Sequence, residues 1–155
     1  MERKLVDPNK LCMGCMELLD QPGVRCPYCG FSIQNYRQVQ NSLPLYEILD
    51  GKYLVGKVIG VGGFGITYIG WDFYQGKKIC IKEYFPRGVA ARLTGEERSV
   101  HGDSSLSYSV DVYTQNTTQA RHAYVHGLDN YIKEAQTLAQ FFLMPGIVSV
   151  RDFFY

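Results

Sequence analysis

The chain has no apolar run long enough to cross a membrane and no excess of charge of one sign. Its start, MERKLVDPNK, is charged and lacks the apolar stretch of a signal peptide. A membrane helix needs about 18 consecutive apolar residues, and no run approaches that length. Sixteen basic residues stand against fifteen acidic ones, so no basic face for nucleic acid is indicated. These absences predict a cytoplasmic protein with no membrane segment and no nucleic-acid partner.

Disorder along the whole chain is also excluded by composition. Hydrophobic residues make up 46% and charged residues 20% of the 155 residues, and aromatic residues make up 14%. This is the composition of a globular, strand-rich protein. The length suits one ordinary domain, or one small domain beside a minimal satellite.

Four of the five cysteines fall in one short stretch, CMGCMELLDQPGVRCPYCG. They form two CxxC pairs separated by ten residues, Cys12 with Cys15 and Cys26 with Cys29. A CxxC turn can aim two thiolates at one point, and two such turns supply the four sulfur ligands that Zn²⁺ accepts. Gly14 and Gly30 suit tight turns, because glycine reaches positive φ at no steric cost.

Disulfides, or reduced cysteines without a ligand role, are the alternatives to a metal site. The absence of an export signal favours the metal, and zinc is the prediction, while iron in a rubredoxin-like site stays open. About twenty residues cannot build a core of their own, so the ion would hold this segment together. The segment resembles a short zinc ribbon of the double-knuckle kind. Zinc ribbons of this kind mostly dock partners and only sometimes bind nucleic acid, and the resemblance alone does not choose between these roles. The prediction for this chain is docking of a protein partner or regulation.

The stretch VIGVGGFGITYIG contains GxGxxG as Gly60, Gly62 and Gly65. A dinucleotide loop would need a helix after the glycines, yet ITYIG is rich in β-forming residues. A Walker loop would need Lys and Ser or Thr directly after Gly65, where Ile66 stands. What remains is a glycine loop between two strands.

Two charged residues outside the glycine loop are candidates for a site beside it, one on the next predicted strand and one on a later predicted helix. GKKICIKEYF presents Lys82 after alternating apolar residues, and GLDNYIKEAQTLAQFF predicts a helix over 127–142 that carries Glu134. Asp129 or Asn130 would cap the start of that helix, and the residues MPG would end it. The apolar stripe of the helix consists of Leu128, Ile132, Ala135, Ala139 and Phe142.

Taken in order, GVGGFGITY, IKEYFP and EAQTLAQF followed by PGIVSVRDFF are similar to the eukaryotic-like serine/threonine protein kinases of bacteria. The resemblance covers about residues 50 to 155. It implies an α+β fold, in which the zinc ribbon precedes a kinase-like N-lobe made of a twisted antiparallel sheet and the helix called αC. It also implies ATP with Mg²⁺ as the nucleotide of the full-length parent and a protein hydroxyl as its substrate.

The resemblance assigns roles to individual residues. Lys82 would contact the ATP phosphates, and Glu134 would form the ion pair with Lys82 that marks an assembled catalytic site. Glycine amides would approach the phosphates, Phe64 would lie at the loop tip, and Cys80 would lie over adenine. The nucleotide-binding set implied in this way is Ile59, Gly60, Val61, Gly62, Gly63, Phe64, Gly65, Thr67, Cys80 and Lys82.

Several elements of a complete kinase have no counterpart in this sequence. HGD at His101 to Asp103 lacks the asparagine of a catalytic loop, and RDFFY has Phe154 where a metal-binding DFG needs glycine. The sequence therefore predicts an inactive N-lobe fragment of an active Ser/Thr kinase. The alternative is a pseudokinase scaffold that binds partners without catalysis.

The predicted domain boundaries are a zinc ribbon at 1–32, a linker at 33–50 and a kinase N-lobe at 51–155. An insertion at about 86–127 interrupts the N-lobe; it is polar, and LSYSVDVY within it could form a short strand. Residues 147–155 are expected to form a strand. Because the family's fifth strand is missing, we expect the edge of the Lys82 strand to be covered by residues 147–155 or by a second copy of the chain.

Overall fold

We describe a computed structural model of the chain, which covers residues 6–21, 25–92 and 118–154. The chain divides into two compact units, Met1–Glu83 and Tyr84–Tyr155. No helix in the described ranges is long and apolar enough to cross a membrane. The predicted strand in LSYSVDVY falls in 93–117, outside the described residues.

The first unit is built on a sheet of four strands in the order of the sequence. The strands are β1 (Ile48–Leu49), β2 (Tyr53–Val61), β3 (Gly65–Asp72) and β4 (Lys77–Tyr84). β1 pairs antiparallel with β2, and β2 pairs antiparallel with β3. The Asp72 carboxylate accepts hydrogen bonds from the Tyr74 and Gln75 amides at 2.8 and 2.9 Å, which shapes the turn into β4.

The cysteine-bearing segment packs directly on this sheet. We call residues 6–21 and 25–32 the cysteine module. Its residues Leu11, Met13 and Met16 are fully buried and form one hydrophobic cluster with Leu54 of β2 and Trp71 of β3. The module and the sheet therefore share a core, and this core compensates for the small size of the module.

One glycine allows this close approach. A Cβ atom at Gly56 of β2 would lie 2.3 Å from Met16 Cε and 2.7 Å from the Met13 carbonyl oxygen. The next amide, Lys57 N, donates a hydrogen bond to that carbonyl at 2.8 Å. The β2–β3 register shifts on both sides of Val58, and such bulges bend a strand locally.

The segment predicted as a linker, 33–50, also lies against the sheet. Leu43 N donates to the hydroxyl of Tyr68, a fully buried β3 residue, at 3.0 Å, and that hydroxyl donates to Glu83 Oε2 of β4 at 2.7 Å. Gln38 Nε2 donates to the Leu43 carbonyl at 2.6 Å. Strand β1 also lies in this segment and pairs with β2. The segment 33–50 is therefore hydrogen-bonded to the sheet. The proposed domain boundaries themselves stay a prediction.

The second unit contains the helix α1 (Thr118–Ala139). The helix begins at Thr118 rather than near residue 127, so the predicted caps Asp129 and Asn130 are wrong and lie inside it. It ends at Ala139, and turns follow as far as Gly146, which has φ 85°. Of the predicted apolar stripe, the four members within the helix are half-buried, and Phe142, beyond its end, is exposed.

Tyr84, which ends β4, packs within the second unit against α1. Its ring lies 5.2 Å from the rings of both Tyr124 and Tyr131, and its hydroxyl donates to the Tyr124 carbonyl at 3.0 Å. A Cβ at Gly127 would lie 2.2 Å from the Tyr84 hydroxyl oxygen. Gly127 is therefore required inside the helix because the tyrosine occupies that space.

The strand expected at 147–155 is wrong as far as the structure describes that segment. Residues 147–154 have no strand conformation and are mostly exposed. Within the described residues, β4 is an edge of the sheet. Association of two copies at that edge stays a prediction.

Candidate functional site: the glycine loop and the cysteine cluster

The glycine loop is a hairpin turn between two strands, as the sequence predicted. β2 ends at Val61 and β3 begins at Gly65, and Gly62 N donates a hydrogen bond to the Gly65 carbonyl at 2.9 Å. Gly60 pairs with Thr67 across the two strands. The Phe64 side chain at the tip is 73% exposed. The loop is therefore held at its base and open to solvent at its tip.

The fold itself does not require glycine at positions 60, 62 and 63 of this loop. A Cβ at Gly63 would meet no atom within 4 Å, and at Gly60 or Gly62 it would meet only one atom, at 3.9 Å. None of these three has positive φ. By contrast, a Cβ at Gly70 of β3 would collide with Ile81 at 2.6 Å. Packing explains Gly56 and Gly70, whereas the loop glycines leave free space in which a ligand could approach the backbone.

Lys82 lies near the end of β4, and its side chain is exposed. Cys80 shares its face of the strand, because residues two apart point to the same side. The opposite face carries Ile81, which packs over Gly70. Partial burial raises the pKa of the Cys80 thiol, and the charge of Lys82 partly offsets this effect. Cys80 and Lys82 therefore lie side by side on one face of β4.

The remaining predicted site residues lie on both units. Ile59 and Val61 on β2 are each 53% exposed, and Thr67 on β3 is half-buried. Glu134 is an exposed residue of α1, in the second unit. The nucleotide-binding roles of these residues and the pairing of Lys82 with Glu134 stay predictions.

The four cysteines of the module come together in one cluster. All four Sγ atoms lie within 4.8 Å of one another. Cys12 Sγ lies 3.7 Å from Cys29 Sγ, and Cys15 Sγ lies 3.8 Å from Cys26 Sγ. A disulfide needs about 2.05 Å, whereas four sulfurs at about 2.3 Å from a tetrahedral zinc ion lie about 3.8 Å apart. The donor set and its spacing fit zinc, and none of the four cysteines forms a disulfide in the structure.

Two glycines shape the turns of the cluster, in different ways. Gly30 has φ 74°, as expected for a tight turn. Gly14 also lies in a turn, but without positive φ. A Cβ there would lie 2.3 Å from Phe31 Cβ, so close packing explains this glycine. Gly14 N donates to Cys12 Sγ at 3.3 Å. Phe31 lies outside both CxxC pairs, so no motif in the sequence predicts its contact with Gly14.

The thiols differ in how readily they ionise. Burial raises the pKa of the Cys12 thiol to about 12 and also raises that of Cys15. Burial opposes ionisation of Cys26 too, but hydrogen bonds from the Cys29 and Tyr28 amides lower its pKa to about 7. Metal binding must therefore displace protons from the cluster, so the metal affinity falls as the pH falls.

We expect the purified chain to hold about one metal ion, because its sulfur cluster offers one tetrahedral site. Elemental analysis by mass spectrometry measures the zinc and iron content per chain. Iron in a sulfur site would colour the protein, and zinc would leave it colourless. Intact, folded protein with well under one equivalent of any metal would contradict the assignment.

Comparison with known proteins gives one solved structure as a match. The fold is similar to that of PpkA-294 in its apo form, with 30% sequence identity and a TM-score of 0.56. The match covers 74% of this chain and 35% of that one, so the chain spans about a third of the length of the structure it resembles. No protein-family model and no curated protein sequence matches the chain. The predicted α+β fold, a cysteine ribbon with a kinase N-lobe-like sheet and helix, is confirmed.

Proposed function

We propose that the chain is the ATP-binding N-lobe of a bacterial Ser/Thr protein kinase, preceded by a structural zinc module. The observation that carries this proposal is the open glycine hairpin followed by the strand with Lys82. PpkA, the structural neighbour at 30% identity, is a bacterial Ser/Thr kinase. The proposed location is the cytoplasm.

The loop glycines support a phosphate ligand. Backbone amides can approach phosphate oxygens only where side chains leave room, and a Cβ at Gly63 would meet no other atom. Phosphates are also bound through positive charge, which Lys82 supplies one strand further along the sheet. A hairpin that served only as a turn would not need this combination of open glycines and a nearby lysine.

Each proposed residue has a distinct task. The glycine amides hold the phosphates, and Lys82 places its ammonium group on the α- and β-phosphates. Glu134 orients Lys82 in the assembled kinase. Apolar surface from Ile59 and the small side chain of Cys80 face the adenine. Alone, the chain transfers no phosphate, because its sequence contains neither a catalytic loop nor the acidic ligands of Mg²⁺.

The cysteine module has a structural task in this proposal. Zinc, held by the four thiolates, would fix the two turns whose residues Met13 and Met16 pack on β2 and β3. The outer surface of the module then remains for a protein partner.

We expect ATP to bind this chain weakly, with a dissociation constant of about 1 mM, because a phosphate loop without an adenine hinge offers few contacts. Amide NMR shifts during ATP titration measure this binding. The largest shifts should occur at residues 60–65 and 80–82. Lys82→Ala should weaken binding about tenfold or more.

Lys78→Ala is the matched control for Lys82→Ala. Lys78 lies on the same face of β4 and is exposed, but it forms an ion pair with Glu17 of the cysteine module. Equal weakening by both substitutions would indicate non-specific attraction of ATP to a basic surface. Shifts confined to residues far from the glycine loop would overturn the proposed site.

A further inference from the structure

A cavity of about 520 Å³ lies where the second CxxC turn, the segment after it and β2 meet. Its lining includes Arg25, Ser32, Asn35, Tyr36, Arg37 and Lys57. Among the described residues, no aspartate or glutamate lines it. The volume is in the range of small-ligand pockets, about 300–1,000 Å³. We call it the basic cavity.

Arg25 is held in position at one side of the basic cavity. Its Nε donates to the Gly30 carbonyl at 3.0 Å. A Cβ at Gly30 would come within 3.3 Å of Arg25 Nη2, so glycine lets the guanidinium lie close to the backbone. Because the anchor uses Nε, both Nη groups keep their donors for a ligand.

The other two cations sit on backbone that is fixed by neighbouring contacts. Lys57 N donates to the Met13 carbonyl at 2.8 Å, and the following amide, Val58 N, donates to the Tyr36 hydroxyl at 3.4 Å. The Tyr36 ring lies 5.5 Å from that of Phe31. Arg37 follows Tyr36 directly. Three separate segments therefore bring three cations to one cavity.

These cations are not neutralised within the described part of the chain. The ion pairs found there join Lys52 to Asp50 and Lys78 to Glu17; none of the three cavity cations pairs with a carboxylate. A zinc-loaded cluster has a formal charge of about −2. The three cations of the cavity exceed it, so the net charge of the cluster and the cavity together stays positive. Ser32 Oγ is buried and has no hydrogen-bond partner among the described residues.

We propose that the basic cavity binds a phosphate monoester, carried by a phosphorylated serine or threonine of a peptide. Arginine forks match the oxygens of phosphate, and a phosphate monoester carries about −1.5 to −2 charge at pH 7, against about −1 for a carboxylate. The Asn35 side-chain amide, which is exposed in the lining of the cavity, adds a neutral donor. The aromatic wall of Phe31 and Tyr36, together with the volume beyond one ion, accommodates the residue that carries the phosphate. This inference does not depend on ATP binding or on Lys82.

The test is an NMR titration of the metal-loaded full chain with the peptide Ala-Ala-phosphoserine-Ala-Ala. Parallel titrations use the same peptide with serine, the same peptide with glutamate, inorganic phosphate and a single-stranded oligonucleotide. We expect the phosphopeptide to bind at least about tenfold more tightly than the serine and glutamate peptides. It should shift the amides of residues 25, 32, 37 and 57. Inorganic phosphate should shift the same amides but bind more weakly.

Arg37→Gln and Lys57→Gln should each weaken phosphopeptide binding about tenfold. Lys52→Gln is the matched control: it removes one charge from a lysine outside the cavity, which pairs with Asp50. Trp71 emission confirms that each variant keeps its fold. Equal weakening by the control, equal affinity for the glutamate peptide, or tighter binding of the oligonucleotide at the same amides would each overturn the proposal. Inorganic phosphate binding as tightly as the phosphopeptide would overturn the peptide assignment.

Discussion

Lys82→Ala, made in a protein that joins this chain to a catalytic lobe, is expected to lower the turnover number for phosphoryl transfer about a hundredfold or more. The ammonium group stabilises negative charge on the phosphates, and removal of one such preorganised group typically costs a factor of about 10² to 10³. The fold should be retained, because the Lys82 side chain is exposed on β4. Steady-state kinetics with ATP and a protein substrate measure the effect.

The same experiment tests Glu134, because its proposed task is to orient the Lys82 side chain. Glu134→Gln should also lower turnover, and the double variant should be hardly worse than Lys82→Ala alone, because residues that act as a unit are not additive. Asp129→Asn, another exposed acidic residue of α1, is the matched control. Unchanged turnover in Lys82→Ala, or additive losses in the double variant, would contradict the assignment.

Removal of the metal is expected to destabilise the whole first unit and not only the cysteine module. Leu11, Met13 and Met16 contribute to the same hydrophobic cluster as Leu54 and Trp71. Cys26→Ser should therefore lower the free energy of unfolding by at least about 3 kcal/mol, since loss of a structural metal site belongs to the severe class of substitutions. Chelation of the metal should have a similar effect.

The single tryptophan reports this change directly, because Trp71 lies in the shared cluster. Denaturant titration followed by its emission gives the free energy of unfolding of each variant. Cys80→Ser is the control, since Cys80 lies on β4 outside the cluster of four sulfurs. It should keep both the metal and the stability. A metal-free Cys26→Ser chain with an unchanged unfolding curve would show that the metal is dispensable for the sheet.

Motif spacing was sufficient to predict the parts of the chain whose neighbours are close in sequence. The two CxxC turns each place their own thiols, and the glycine hairpin joins adjacent strands β2 and β3. Lys82 follows from alternation along a single strand. In each of these cases, local backbone geometry decides where the side chains lie, so the pattern of residue types was informative.

Contacts between distant segments were not predictable in the same way. The helix start was wrong because residues 118–126 carry no strong apolar period, and the packing of Tyr84 on Tyr124 is visible only in three dimensions. The segment 33–50 was assigned as a linker because its periodicity is weak and Pro44 interrupts it. Its contacts with the sheet, such as the hydrogen bond from Leu43 N to Tyr68 and the packing of Leu45 on the core cluster, join residues that are distant in sequence. The basic cavity likewise combines residues from three segments, which no single motif contains.

The contact between Tyr84 and Gly127 has a consequence for the evolution of this fold. Glycine inside a helix is less stable than alanine by about 1 kcal/mol. Alanine does not fit here, because a Cβ at position 127 would lie 2.2 Å from the tyrosine hydroxyl oxygen. The ring carbon Cζ lies 3.3 Å away, so phenylalanine at position 84 would leave nearly enough room for alanine. A change from tyrosine and glycine to phenylalanine and alanine at these two positions is therefore easier when the hydroxyl at position 84 is lost first than when the methyl group at position 127 is gained first. Among related sequences, alanine at position 127 should therefore occur together with phenylalanine at position 84. The change at position 84 should come first.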